Sequence, residues 1–145
     1  MSDKKKIAFF SCFLGGVLIL IWGIFHGVLV LIVNIELTAS GVDRGFISLI
    51  TLSYCGVAVM ISINGLLVIY SSYIGIKNGE KWGYFICLSQ GIMFSFVTLL
   101  LITLQPRIDI LIFSEDFVLI LAILWDLAIS LLILGPLLIW YKELK

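Results

Sequence analysis

From Ile7 to Ile35 the chain carries no formal charge, and the same is true from Gly45 to Ile76 and from Trp82 to Pro106. A fourth run, Phe117–Tyr141, is interrupted by one charge alone, Asp126. Each run exceeds the roughly 20 residues that cross a ~30 Å hydrocarbon core at about 1.5 Å per helical residue. Leu and Ile pass through them without the alternation of barrel strands, and an open sheet cannot satisfy its backbone in lipid, so they read as helices. With 62% apolar and 12% charged residues, against about a quarter charged in ordinary globular domains, the solvent for this chain is lipid.

The expected architecture is all-α, an integral membrane antiparallel four-helix bundle with spans at about 7–34, 47–76, 83–104 and 117–141. No linker is long enough for a soluble domain, so the chain reads as a single transmembrane domain and any function sits inside the bundle or on its rim. The apolar run after Lys4-Lys5-Lys6 is about twice the usual signal-peptide core and no small-x-small site closes it, which points to a retained first helix.

The basic residues divide unevenly. Lys4, Lys5, Lys6, Lys77, Lys81, Lys142 and Lys145 fall on one side of the spans, Arg44 and Arg107 on the other. The positive-inside rule then puts both termini and the Lys77–Lys81 turn in the cytoplasm and the loops around Glu36–Arg44 and Gln105–Asp116 outside, as expected for a plasma or bacterial inner membrane. Pro106 is expected to end the third helix, and Ile108–Phe113, too apolar for a free loop and too short to span, is expected to lie in the outer interface. Trp140 and Tyr141 mark the cytoplasmic boundary of the fourth helix.

The turn Lys77-Asn78-Gly79-Glu80-Lys81-Trp82 is tight, with Gly79 as helix C-cap and Trp82 as interfacial anchor. The stretch GIKNGEKWGY, Gly75 to Tyr84, resembles a hairpin of small prokaryotic four-helix membrane proteins that are DoxX-like in plan. The resemblance covers those ten residues and the four-span plan. It implies no functional residue.

Several function classes are disfavoured. The few basic residues, with their one cluster beside the bilayer, argue against nucleic-acid binding. A single His with one buried acid is short of the ligands a metal site needs. Cys12, Cys55 and Cys87 form no CxxC and each lies within a span, so they read as structural, not as a redox centre. No cofactor and no catalytic residue is indicated. Four helices enclose little lumen, so a channel would require an oligomer, for which Gly23–Gly27 or Gly75–Gly79 would be the close-packing faces.

What stands out is Asp126. A central Asp costs roughly 2.5 to 3.5 kcal/mol on insertion scales, while the Leu, Ile, Val and Phe around it contribute on the order of −5 to −10 kcal/mol together. Helix four therefore inserts despite the aspartate, and insertion does not explain it. Counting from the span ends puts Asp126 nearly level with His26, and Asn64 and Gln90 within the same slab of the outer half to middle of the bilayer. Gly16, Gly23, His26 and Gly27 share one helical stripe, and Ala122, Asp126 and Ser130 share another, so small-residue faces point both His26 and Asp126 inward. The expected site is thus a polar layer of His26, Asn64, Gln90 and Asp126.

Two roles are open for it. As structural glue it would fix helix register through interhelical hydrogen bonds. As a site it would bind a lipid-like, quinone-like or small amphiphilic ligand, or a partner helix of a second copy or another membrane protein. The alternative is a membrane-embedded enzyme or proton-relay component using a His26–Asp126 pair.

Overall fold

The computed structural model describes residues 2–108 and 116–139, with side chains at all of these except 101, 104–108 and 116–119. Its elements are α1 (Asp3–Ala39), α2 (Arg44–Tyr70), a π-helical turn (Ser71–Ile76) that continues α2, α3 (Lys81–Ile108) and α4 (Asp116–Ile139). All four helices are long and apolar enough to cross a membrane. Large apolar side chains such as Leu31, Leu52, Met60 and Leu138 are more than half exposed along them, a surface suited to lipid and not to water. The fold is all-helical among the described residues and fits a membrane protein.

Local chemistry sets the boundaries. Ser2 caps α1, its Oγ accepting from Lys5 N at 3.3 Å. At the start of α2, Asp43 Oδ1 accepts from the amides of Gly45 at 2.9 Å and Phe46 at 3.2 Å, which satisfies donors the helix leaves free. Between the two helices Gly41 adopts φ +73°, a left-handed conformation that suits glycine. After the π-helical turn, Gly79 at φ +82° closes a Schellman motif, with Glu80 N bonded to Gly75 O at 2.8 Å and Gly79 N to Ile76 O at 3.1 Å. Pro106 was expected to end helix three, but α3 continues through it to Ile108; proline removes one helical hydrogen bond without ending the helix at that position. The expected interfacial stretch lies, beyond Ile108, outside the described residues, as do Trp140, Tyr141 and the C-terminal lysines.

Two compact units are present, Gly16–Leu67 and the combination of Met1–Gly15 with Val68–Lys145. In the first, α1 and α2 approach through small residues. A Cβ on Gly65 would stand 2.8 Å from Leu20 Cα and 2.9 Å from Gly16 O, and one on Gly23 would stand 2.7 Å from Ser62 N. Only glycine permits backbones to come this close.

In the second unit the seam of α3 is Tyr84, Cys87, Gly91, Phe94 and Thr98, all buried. Its steps of three and four are the 3.5-residue repeat of left-handed helix packing. The buried residues of α4 are Asp126, Ile129, Ser130, Ile133 and Leu137. Ile133 is the centre of this core. A Cβ on Gly15 would stand 2.6 Å from its side chain and one on Gly91 would stand 3.1 Å from it, while Cys12 Sγ donates to its carbonyl at 3.9 Å. At the turn between the π-helix and α3, Gly75 lies backbone to backbone against Gly83.

Candidate functional site

Asp126 sits on the buried face of α4, 3% exposed, and Ser130 one turn later is also 3% exposed. Neither Asp126 Oδ1 nor Ser130 Oγ has a hydrogen-bond partner. Ser130 departs here from the habit of the molecule. Thr51, Ser62, Ser72, Ser95 and Thr98 each donate to the carbonyl four residues back, at 2.7 to 3.0 Å. That bond is the usual way a hydroxyl is satisfied inside an apolar helix. Ser130 could make it to Asp126 O and does not.

The expected layer divides between the two units. Gln90 and Asp126 lie in one, His26 and Asn64 in the other. Gln90 Oε1 is buried and without a partner, like Asp126 Oδ1. It neighbours Gly91, whose open side faces Ile133 and Leu134, so Gln90 is level with a part of α4 about 12 Å from Asp126 along the helix axis. His26 is half-buried and satisfied within its own helix: Nδ1 donates to Trp22 O at 3.0 Å, and the ring meets the Trp22 indole edge-on at 4.8 Å. Because a carbonyl only accepts, Nδ1 carries the proton and Nε2 is the position left for any further partner. Asn64 is half-buried on α2.

Three buried hydroxyls, those of Thr98, Ser71 and Ser72, were not anticipated. Thr98, 5% exposed, closes the α3 seam, and its hydroxyl proton is spent on Phe94 O at 2.8 Å. The signal for it was its place seven residues after Gly91. Ser71, fully buried, opens the π-helical turn with its Oγ unpartnered. It stands four residues before Gly75, in a small-residue stripe that continues to Gly79. π-Helical turns interrupt helices often at functional positions. Here the turn accompanies the Gly75–Gly83 approach and a cluster in which Ser72 Oγ lies 3.6 Å from Cys87 Sγ. Cys87 Sγ also donates to Val68 O at 3.9 Å, and both Cys12 and Cys87 are free and buried, whereas Cys55 is free and exposed.

Buried oxygens without donors cost about 1 to 3 kcal/mol each, more for a carboxylate. Asp126 and Ser130 therefore constitute a destabilised, acceptor-rich strip on α4, and Gln90 Oε1 is a separate unpartnered acceptor on α3. No group of three or more metal-ligating side chains occurs among the described residues. Compared with models of protein families, with curated proteins and with solved structures, the chain matches none.

Proposed function

We propose that the protein is a multi-pass component of the cell membrane, an antiparallel four-helix bundle with both termini cytoplasmic, that binds a small amphiphile through a polar head seated at Asp126. The observation that carries this reading is the pair of buried, unpartnered oxygens on one face of α4, Asp126 Oδ1 and Ser130 Oγ. Consecutive spans joined by a short linker run in opposite directions. With α3 and α4 so arranged, the Gly91–Ile133 contact carries Phe94 to the level of Ser130 and Thr98 to the level of Asp126, seam residue against seam residue. The head of the site then consists of a carboxyl and two hydroxyls, one of which has already given its proton to Phe94 O.

Such a set offers more acceptors than donors. Its complement is a group rich in donors, an amine or a hydroxyl, on an apolar body compatible with the Leu and Ile around it. A buried Asp in a membrane helix is retained for a partner of this kind more readily than for packing, since an apolar residue packs at lower cost.

The test uses short amphiphiles of one tail length, hexylamine, hexanol and hexanoate, added to the purified protein while thermal unfolding is followed. The amine raises the melting temperature most, hexanoate does not raise it, and Asp126→Leu removes the response to the amine. Equal responses to all three, or a response to the amine that survives Asp126→Leu, would contradict the assignment.

A further inference from the structure

Where α1 passes into α2, the Gly16–Leu67 unit carries an open cleft of about 610 Å³, bordered by Asn34, Thr38, Arg44, Thr51, Leu52 and Cys55 among others. This lies within the 300–1,000 Å³ of small-molecule sites. Its hydroxyl protons are already committed. Thr38 Oγ1 donates to Asn34 O at 2.7 Å, Ser48 Oγ to Arg44 O at 2.9 Å and Thr51 Oγ1 to Ile47 O at 2.8 Å. The donors left to a ligand are the five N–H groups of Arg44 and the amide of Asn34.

Arg44 makes no ion pair among the described residues. The adjacent acid, Asp43, holds its Oδ1 on the amides of Gly45 and Phe46 and is thereby directed at the helix start. The cleft is also graded. Arg44 stands at the turn end, while Leu52 and Cys55 lie two to three helical turns further into the span, Cys55 about 16 Å along the axis from Arg44. A charged mouth with planar donors and a deeper apolar wall match an anionic head carrying a tail, and a guanidinium is suited to phosphate in two-point geometry.

We propose that this cleft seats the phosphate head of an anionic phospholipid, with Arg44 as its principal ligand and Asn34 as a second donor, the acyl chain lying along Ile47 and Leu52. The site stands apart from the Asp126 reading and does not depend on it. The Asp126 site calls for a ligand that supplies donors, the Arg44 cleft for one that supplies negative charge.

Cys55 provides a native reporter, because it is exposed in the cleft while Cys12 and Cys87 are buried. Detergent-purified protein is titrated with phosphatidylglycerol, or with inorganic phosphate alone, and alkylation of Cys55 by N-ethylmaleimide is timed by mass spectrometry. Phosphatidylglycerol slows alkylation, and Arg44→Gln, at an exposed position that no packing requires, weakens this protection roughly ten- to a hundredfold. Arg44→Lys, which keeps the charge and loses the fork, falls between the two. Inorganic phosphate held at Arg44 leaves Cys55, about 16 Å away, uncovered, so protection by the lipid alone is the expected result and equal protection by inorganic phosphate overturns the assignment to a lipid. Protection that is absent in the native protein, or unchanged in Arg44→Gln, overturns the proposal.

Discussion

Asp126 and Ser130 stand one turn apart on the same buried face of α4, and neither Asp126 Oδ1 nor Ser130 Oγ is hydrogen-bonded. In an apolar seam otherwise built from Ile129, Ile133 and Leu137, this pair gives up stability with no return visible in the packing of the described residues. Natural proteins carry such costs mainly where function needs them.

Ser130→Ala should therefore stabilise the ligand-free protein, by about 1 kcal/mol, since it deletes an unsatisfied hydroxyl and adds no volume. Thr98→Ala should not, because Thr98 loses a bond that it makes to Phe94 O. Thermal unfolding of the two variants in the same detergent checks the contrast. A Ser130→Ala protein that melts well below the parent would mean that Ser130 has a partner.

Gly75 and Gly83 make the tightest interhelical approach at the cytoplasmic hairpin of the proposed topology, backbone against backbone. Alanine at either forces the helices apart and should cost about 1 to 3 kcal/mol. Gly56 is the matched control. A Cβ there meets nothing within 4 Å, so Gly56→Ala should be neutral or stabilising by up to about 1 kcal/mol through helix propensity. Circular dichroism melts of the three variants give the ranking, and equal effects at Gly56 and Gly75 would remove the close approach from the account.

The proposed topology rests on the distribution of the lysines. Alkaline phosphatase fused at Gly41 should be active in cells and the same enzyme fused at Asn78 should be inactive, with the reverse for a fluorescent reporter that matures only in the cytoplasm. The opposite pattern would invert the bundle.

The helices were legible because charge-free runs of this length permit nothing else in lipid. The capping role of Gly79 was legible for a similar reason: a turn between two such runs needs a residue that tolerates its φ of +82°. The faces were harder. In α3 the exposed Ile92, Phe96 and Leu99 are as apolar as the seam-facing Phe94, so hydropathy does not separate inside from outside. Small and hydroxyl residues carry that information, which is why Gly91 and Thr98 mark the seam once their seven-residue spacing is noticed. Asp126 was legible as an anomaly and is buried, as its small-residue stripe suggested. The partner of His26 on its own helix was not legible, because hydropathy and depth counting are silent on a ring that folds back onto Trp22 O. Nor was the pairing of Gly75 with Gly83, since a single glycine in a helix says nothing about which residue approaches it.

The most direct measurement is native mass spectrometry of the gently extracted protein beside its Asp126→Asn and Asp126→Leu variants. The account predicts a stoichiometric small adduct on the native protein, weakened by Asn and absent with Leu, while the anionic lipid assigned to the Arg44 cleft persists in all three. A native protein without the adduct, or one whose adduct is unchanged by Asp126→Leu, would contradict a ligand site at Asp126.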